Sequence, residues 1–350
     1  MPDKQELIAA AKDAIGNDTP EEDWKVTPSQ HAALLRGKAP SLAAVLNGER
    51  AQGQASKYEE LNRKAVEARD RFKATVTKAD RAIFVTASLG GLLLIIGVLH
   101  GLISGWDRSL VVVLGVGGLV SGGLATMWLT QVKAGSLADA WMKTRAQAEA
   151  KRLAYFKDVM AAAPQEPQSQ LFALEYVRRY LLDNQIDYFR GRGAQHERAA
   201  TAALTAFTRA VFIASTSTAL AGLLSASIDS RLAAIAGIGV VASAFGALAS
   251  SQSAVNRDRR NADSYRLAQD RLEERRLDLD TYRARAAGGE NGMLEEFFEP
   301  VFVALAADHK TWLDDAEMRD LAIGEMGQRL DAAKKALEAQ PAPAREPAPN

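Results

Sequence analysis

Four stretches of this chain carry no charged residue: Ala82–Trp106, Ser109–Val132, Ala210–Ile228 and Leu232–Asn256. A helix needs roughly 20 apolar residues to cross the hydrocarbon core of a bilayer, and each stretch is close to or above that length. The expected fold is therefore an all-α membrane protein with four transmembrane helices, near residues 82–104, 109–131, 209–228 and 232–252. Averages conceal this. The 350 residues are 47% apolar and 25% charged, an ordinary globular balance, because the rest of the chain is dense in charge.

Lys+Arg and Asp+Glu stand at 43 each, and zero net charge predicts no general affinity for nucleic acid. The chain has no cysteine, which excludes disulfides, thiolate catalysis and cysteine-ligated metal sites. The opening MPDKQELIAAAKDAIG has acidic residues and no apolar core, so it does not read as a cleaved signal peptide, and the first span is expected to direct insertion. Basic residues flank the spans on one side: Arg69, Arg71, Lys73, Lys78 and Arg81 before the first, Lys133 and Lys143 after the second. Arg198 and Arg209 precede the third, and Arg257, Arg259 and Arg260 follow the fourth. The opposite loops, Gly105–Arg108 and Asp229–Arg231, hold a single acid and a single base each. Lys and Arg are retained on the cytoplasmic side, so both termini are expected there.

The chain repeats itself. RAIFVTAS at 81–88 returns as RAVFIAST at 209–216, and LVVVLGVGGLVSG from Leu110 returns as LAAIAGIGVVASA from Leu232. ADAWMKTRAQAEAKRL from Ala138 aligns with ADSYRLAQDRLEERRL from Ala262, placing Trp141 against Tyr265 and Glu149 against Glu273. Each unit has two spans, so both copies enter and leave on the same side, as parallel rather than inverted repeats. Tyr58, Leu61, Ala65, Ala68, Phe72, Thr75 and Ala79 keep heptad spacing up to the first span, and Tyr265, Ala268, Leu272, Arg275, Leu279 and Tyr282 do so after the fourth, with Arg275 the misfit. Each unit is thus expected to be a long helical hairpin running unbroken out of the bilayer.

The expected organisation is an N-terminal helical region at 1–56, a two-span unit at 57–163, a second at 164–287, C-terminal helices at 288–339 and a disordered tail at 340–350. The first region should hold one or two short helices, with Thr19, Pro20 and Glu22 as a start signal. Pro164 and Pro167 separate the units, and Ser169 is a possible cap for the helix LFALEYVRRYLLDNQIDYF. AAGGENG ends the second unit, and Met293–Ala307 and Trp312–Ala339 read as a helix pair.

The spans supply the candidate sites. GVGGLVSGG at Gly115 superficially resembles a dinucleotide loop, but it sits in an uncharged span with no strand before it, so helix packing is the better reading. Gly97 with Gly101, and Gly118 with Gly122, have small-xxx-small spacing; Gly115, Gly237, Gly239 and Ser243 join them as packing candidates, within the chain or between copies. Ser215, Thr218, Gly222 and Ser225 share one face of the third span, which either lines a watery path or bonds to backbone and neighbouring helices. No Asp, Glu, Lys or Arg lies inside a span, which removes proton relays and voltage sensors, and His100 is the one ionisable group. The four histidines make no metal-ligand spacing, no catalytic set is visible, and no cofactor is expected. His309 and Trp312 in DHKTW are candidates for docking on the bundle or for contact with the membrane surface or a partner.

The tandem two-span units, YLLDNQIDYF leading to RAVFIAST, and DHKTW near the end resemble the SLATT family, over roughly Tyr58–Trp312. That resemblance implies a bacterial inner-membrane effector, associated with nucleotide-signal conflict systems, that oligomerises and permeabilises the membrane. It implies no catalytic residues. A cytoplasmic sensor or nucleotide signal would be the trigger, although no sensor domain is attached here. The alternative is a non-conducting membrane-anchored scaffold that recruits cytoplasmic partners.

Overall fold

The structure, a computed structural model, describes residues 3–16, 25–104, 137–228, 242 and 258–307. Outside them fall the span at 109–131, that at 232–252 apart from residue 242, the Thr19–Glu22 signal, the helix at 312–339 and the tail. Regular structure among the described residues is helical throughout, with no strand. The fold is all-α.

Three helices come before the first long one: α1 (Lys4–Ile15), α2 (Pro28–Leu35) and α3 (Pro40–Asn47). This is more than expected. The eight-residue α2 and α3 are too short to show a periodic apolar face, and each starts with a proline whose fixed φ and missing N–H suit the first helical position. Helices this short are marginal alone. Docking stabilises them, with Leu35, Leu42 and Leu46 in the core.

α4 (Glu49–Ser104) is 56 residues long and begins ahead of the expected boundary at 57. It passes Arg81 without a break, and α5 (Leu137–Ala162) packs along it. Their contacts run in opposite order: Gln54 with Asp158, Asn62 with Arg145, Phe72 with Trp141. The pair is antiparallel. Tyr58 and Ala65 of the heptad seam are buried, and the rings of Phe72 and Trp141 stack at 5.7 Å.

A second long helix has three parts: α6 (Pro167–Val177), a six-residue π-helical turn at Arg178–Asp183, and α7 (Asn184–Ser227). Pro167 opens α6 after Glu166, so Ser169 is not the cap; its hydroxyl lies inside the helix and donates to Ser41 Oγ at 2.9 Å. α6 is buried on every side from Ser169 to Val177. It is the hub on which α1, α3, α5 and α9 (Leu279–Ala287) pack. α8 (Asp258–Leu277) runs back along α7, and a turn with positive φ at Gly289 and Gly292 leads to α10 (293–307). Only glycine adopts that backbone cheaply. Arg275, out of place in the seam, is explained by α10: it donates to the Glu296 and Phe297 carbonyls and lies 4.9 Å from the Phe297 ring.

The N-terminal helices are tied to the hub by a buried polar chain. Tyr155 of α5 and Tyr176 of α6 share a hydrogen bond of 2.7 Å, and Tyr176 shares another of 2.7 Å with His31 Nδ1. His31 also stacks on Tyr180 at 4.3 Å. Burial first, then the Arg179 charge, lowers its pKa to about 4, so the ring is neutral at pH 7.

Candidate functional site: the apolar stretch of α7 and the charges beneath it

The hub helix does not stop at the core. Across α6, the π turn and α7, Pro167–Leu224 is one helix, and among the described residues it is the one long and apolar enough to cross a membrane. The expected third span falls at its far end. Only 11% of its most apolar stretch is buried, which is unlike the core helix of a water-soluble domain. Phe212 is 69% exposed and Leu223 68%.

What burial there is follows a narrow stripe. Ala210 and Ala221 are buried, with Ala214, Ser217 and Leu224 partly covered between and beyond them. Spacings of three and four place these residues on one face, as in a helix that meets a single neighbour. The small side chains suit close approach.

The hydroxyl face lies beside this stripe. Ser215, Thr218 and Gly222 are exposed, and a Cβ at Gly222 would meet nothing within 4 Å. Thr218 Oγ1 donates back to the Ala214 carbonyl at 2.9 Å, as do Thr205 and Thr208 to carbonyls one turn earlier. The Ser225 side chain lies outside the described residues, as do Gly115, Gly118, Gly122, Gly237, Gly239, Ser243, His309 and Trp312. Gly97 and Gly101 fall in the last turns of α4.

Below α7, the hub carries a charge network that its sequence barely announces. Glu175 lies in an apolar run and is fully buried. Arg178 Nε donates to it at 2.6 Å, and Arg283 of α9 approaches bidentately, Nε at 2.5 Å and Nη2 at 3.1 Å. Arg178 then spans the π turn to Asp183 Oδ2 at 2.5 Å and reaches the Gly16 carbonyl beyond α1 at 3.0 Å. Burial raises the Asp183 carboxyl above its ordinary range, against the pull of Arg178 and Arg276. A charge in this setting must be paired to be tolerated. The signal was available: one acid among apolar residues, with an arginine three positions later and an aspartate five beyond that.

Among the described residues no three His, Cys, Asp or Glu side chains group to hold a metal ion. The network joins α1, the hub helix and α9 through Arg178 and Arg283. Compared with protein-family models, curated proteins and solved structures, the chain matches none.

Proposed function

We propose that the protein is a four-span membrane effector, two parallel hairpins with cytoplasmic termini in a bacterial inner membrane, that oligomerises and permeabilises the bilayer. The carrying observation is the apolar stretch of α7: it is long enough to span, is covered along one stripe, and leaves its other faces open. In lipid those faces are solvated by acyl chains or by a second copy.

Pairing in both hairpins supports the four spans. Phe72 and Trp141 lie equally far in sequence from the short segment Gly105–Arg108. Glu197 and Arg266 lie 32 and 35 residues from Asp229–Arg231, and His196 and Asp258 lie 33 and 27. Antiparallel helices of equal rise that continue in register would turn at those two segments, the loops that separate the charge-free stretches. Oligomerisation draws support from an open face of α7 rich in small side chains, among them Ala194, Thr201, Ala202, Thr205 and Ala206. The pore reading itself leans on the resemblance to the SLATT family and on the hydroxyls of the third span.

A non-conducting scaffold is favoured by one detail, the bond from Thr218 back to its own helix, which uses the hydroxyl for packing instead of water. Flux of ions and of a small dye through proteoliposomes of the purified chain separates the two. Conductance that falls when Ser215, Thr218 and Ser225 are all changed to Leu, with assembly intact, supports the pore. Absence of flux under every condition, with harmless overexpression in cells, leaves the scaffold.

A further inference from the structure

Where α1, the π turn, α8 and α9 meet, a polar cavity of about 450 Å³ opens to solvent. Its lining is Lys12, Arg178, Arg276, Leu279, Asp280 and Arg283, four cations against one acid. Two further carboxylates stand behind, Glu175 and Asp183, but both are engaged from the buried side by Arg178 and Arg283 or by Arg178 and Arg276. Even with them the cluster keeps a cationic excess, four against three.

The arginines are held in place. Glu175 grips two nitrogens of Arg283, whose side chain is 9% exposed, and this aims the remaining one, Nη1, at Asp280 2.7 Å away. Asp280 is unlike its partners, 84% exposed and held by Arg283 and, at 3.6 Å, by Lys12. Its bond from Arg283 keeps its carboxyl below the usual range. An exposed carboxylate at the mouth of a cationic cavity occupies the place that a dissolved oxyanion would take. A guanidinium fixed by a buried acid is preorganised for such a ligand and loses little freedom on binding it.

We propose that this cavity binds a small phosphorylated anion, with Lys12, Arg276 and Arg283 as its direct ligands and Asp280 as the internal carboxylate that it displaces. The ligand is a solute rather than a lipid headgroup. The 20-residue α8, about 30 Å long, lies between the cavity and the point where its hairpin meets the apolar stretches. The site is independent of whether the protein conducts.

The test is isothermal titration of the full chain in detergent with inorganic phosphate and with pyrophosphate at constant ionic strength. Saturable binding is expected, tighter for pyrophosphate. Arg276→Ala and Lys12→Ala should each weaken it at least tenfold with helix content unchanged, since the two side chains are 50% and 39% exposed. Asp280→Asn should tighten it several-fold by removing the competitor, and vesicles containing phosphatidic acid should not displace the bound phosphate. The proposal is overturned by heats no larger than those of matched chloride, by wild-type affinity in both alanine variants, by weaker binding in Asp280→Asn, or by displacement with the anionic vesicles.

Discussion

Glu149 and Glu273 hold matching places in the two copies of the repeat, and they meet opposite fates. Glu149 is 4% exposed, clamped between Arg145 and Arg152, with Tyr58 and Gln185 alongside. Glu273 sits at the surface, accepting from Gln269 at 2.9 Å and from Arg190 across the hairpin at 2.8 Å. The first hairpin therefore buries a charge cluster within α5, and Arg145 carries it across to Asn62 of α4. The second is pinned by rings, Tyr265 packing on Phe189, Tyr188 and His196, with Asp258 buried against His196 and the Arg190–Glu273 pair outside. The two copies keep an antiparallel helix pair, while the side chains between the helices diverge with burial.

The sharpest way to break this comparison is to remove both acids. Glu149→Ala should cost about 3 to 5 kcal/mol, because it strands a buried arginine, whereas Glu273→Ala should cost below about 1 kcal/mol. Thermal melts of the two variants in one detergent read the contrast directly; equal shifts would end it. Next comes Tyr265→Ala, which should lose about 3 kcal/mol by emptying the ring cluster of the second hairpin. The measurement is the same melt, and the first hairpin should keep its Phe72–Trp141 fluorescence signature.

A pH series sharpens the contrast further, since α5 of the first hairpin is tied to His31 through Tyr155 and Tyr176. The folded pKa of about 4 lies below the ordinary histidine value of 6.5, so the unfolded chain takes up the proton first. Stability from this group is complete above about pH 6.5 and drains away as pH falls toward 4, reaching a loss of about 2 kcal/mol at pH 5. His31→Gln should flatten the melting profile across that window, and an unchanged slope would contradict the assignment. Smallest of all is the surface pair: a double-mutant cycle on Arg190 and Glu273 should give a coupling below about 1 kcal/mol that fades in salt.

How much was legible beforehand depends on what periodicity encodes. The helical class and the seams at Tyr58, Ala65, Tyr265 and Leu272 follow from spacing and reappear as buried contacts. Spacing says little about α2 and α3, which are two turns long and owe their helicity to docking. It also says nothing about the π turn, because a wide turn leaves the local pattern of apolar residues almost intact. Arg275 looked like an error in a heptad and proved to be a clamp on a helix that follows it in the chain. Glu175 and Arg178 announced themselves as charges at short spacing in an apolar run, whereas Arg283 did not: it comes from an element far along the chain, and pairing across such a distance is a property of the fold.

The π turn at Arg178–Asp183 carries one consequence beyond its hydrogen bonds. Such a turn takes in one residue more than an α-turn, and each residue of an α-helix advances about 100° and 1.5 Å. Everything from Asn184 onward is therefore set out of phase with the hub, as if one shaft had been cut, turned and rejoined. The direction in which the stripe from Ala210 to Ala221 faces, relative to the hub, follows from that setting. Regularising the turn would swing the stripe by more than a quarter of a revolution, at a point about 40 Å away along the helix. The azimuth of the apolar stretch is thus decided at the charged joint, by whichever groups hold Arg178 and Asp183.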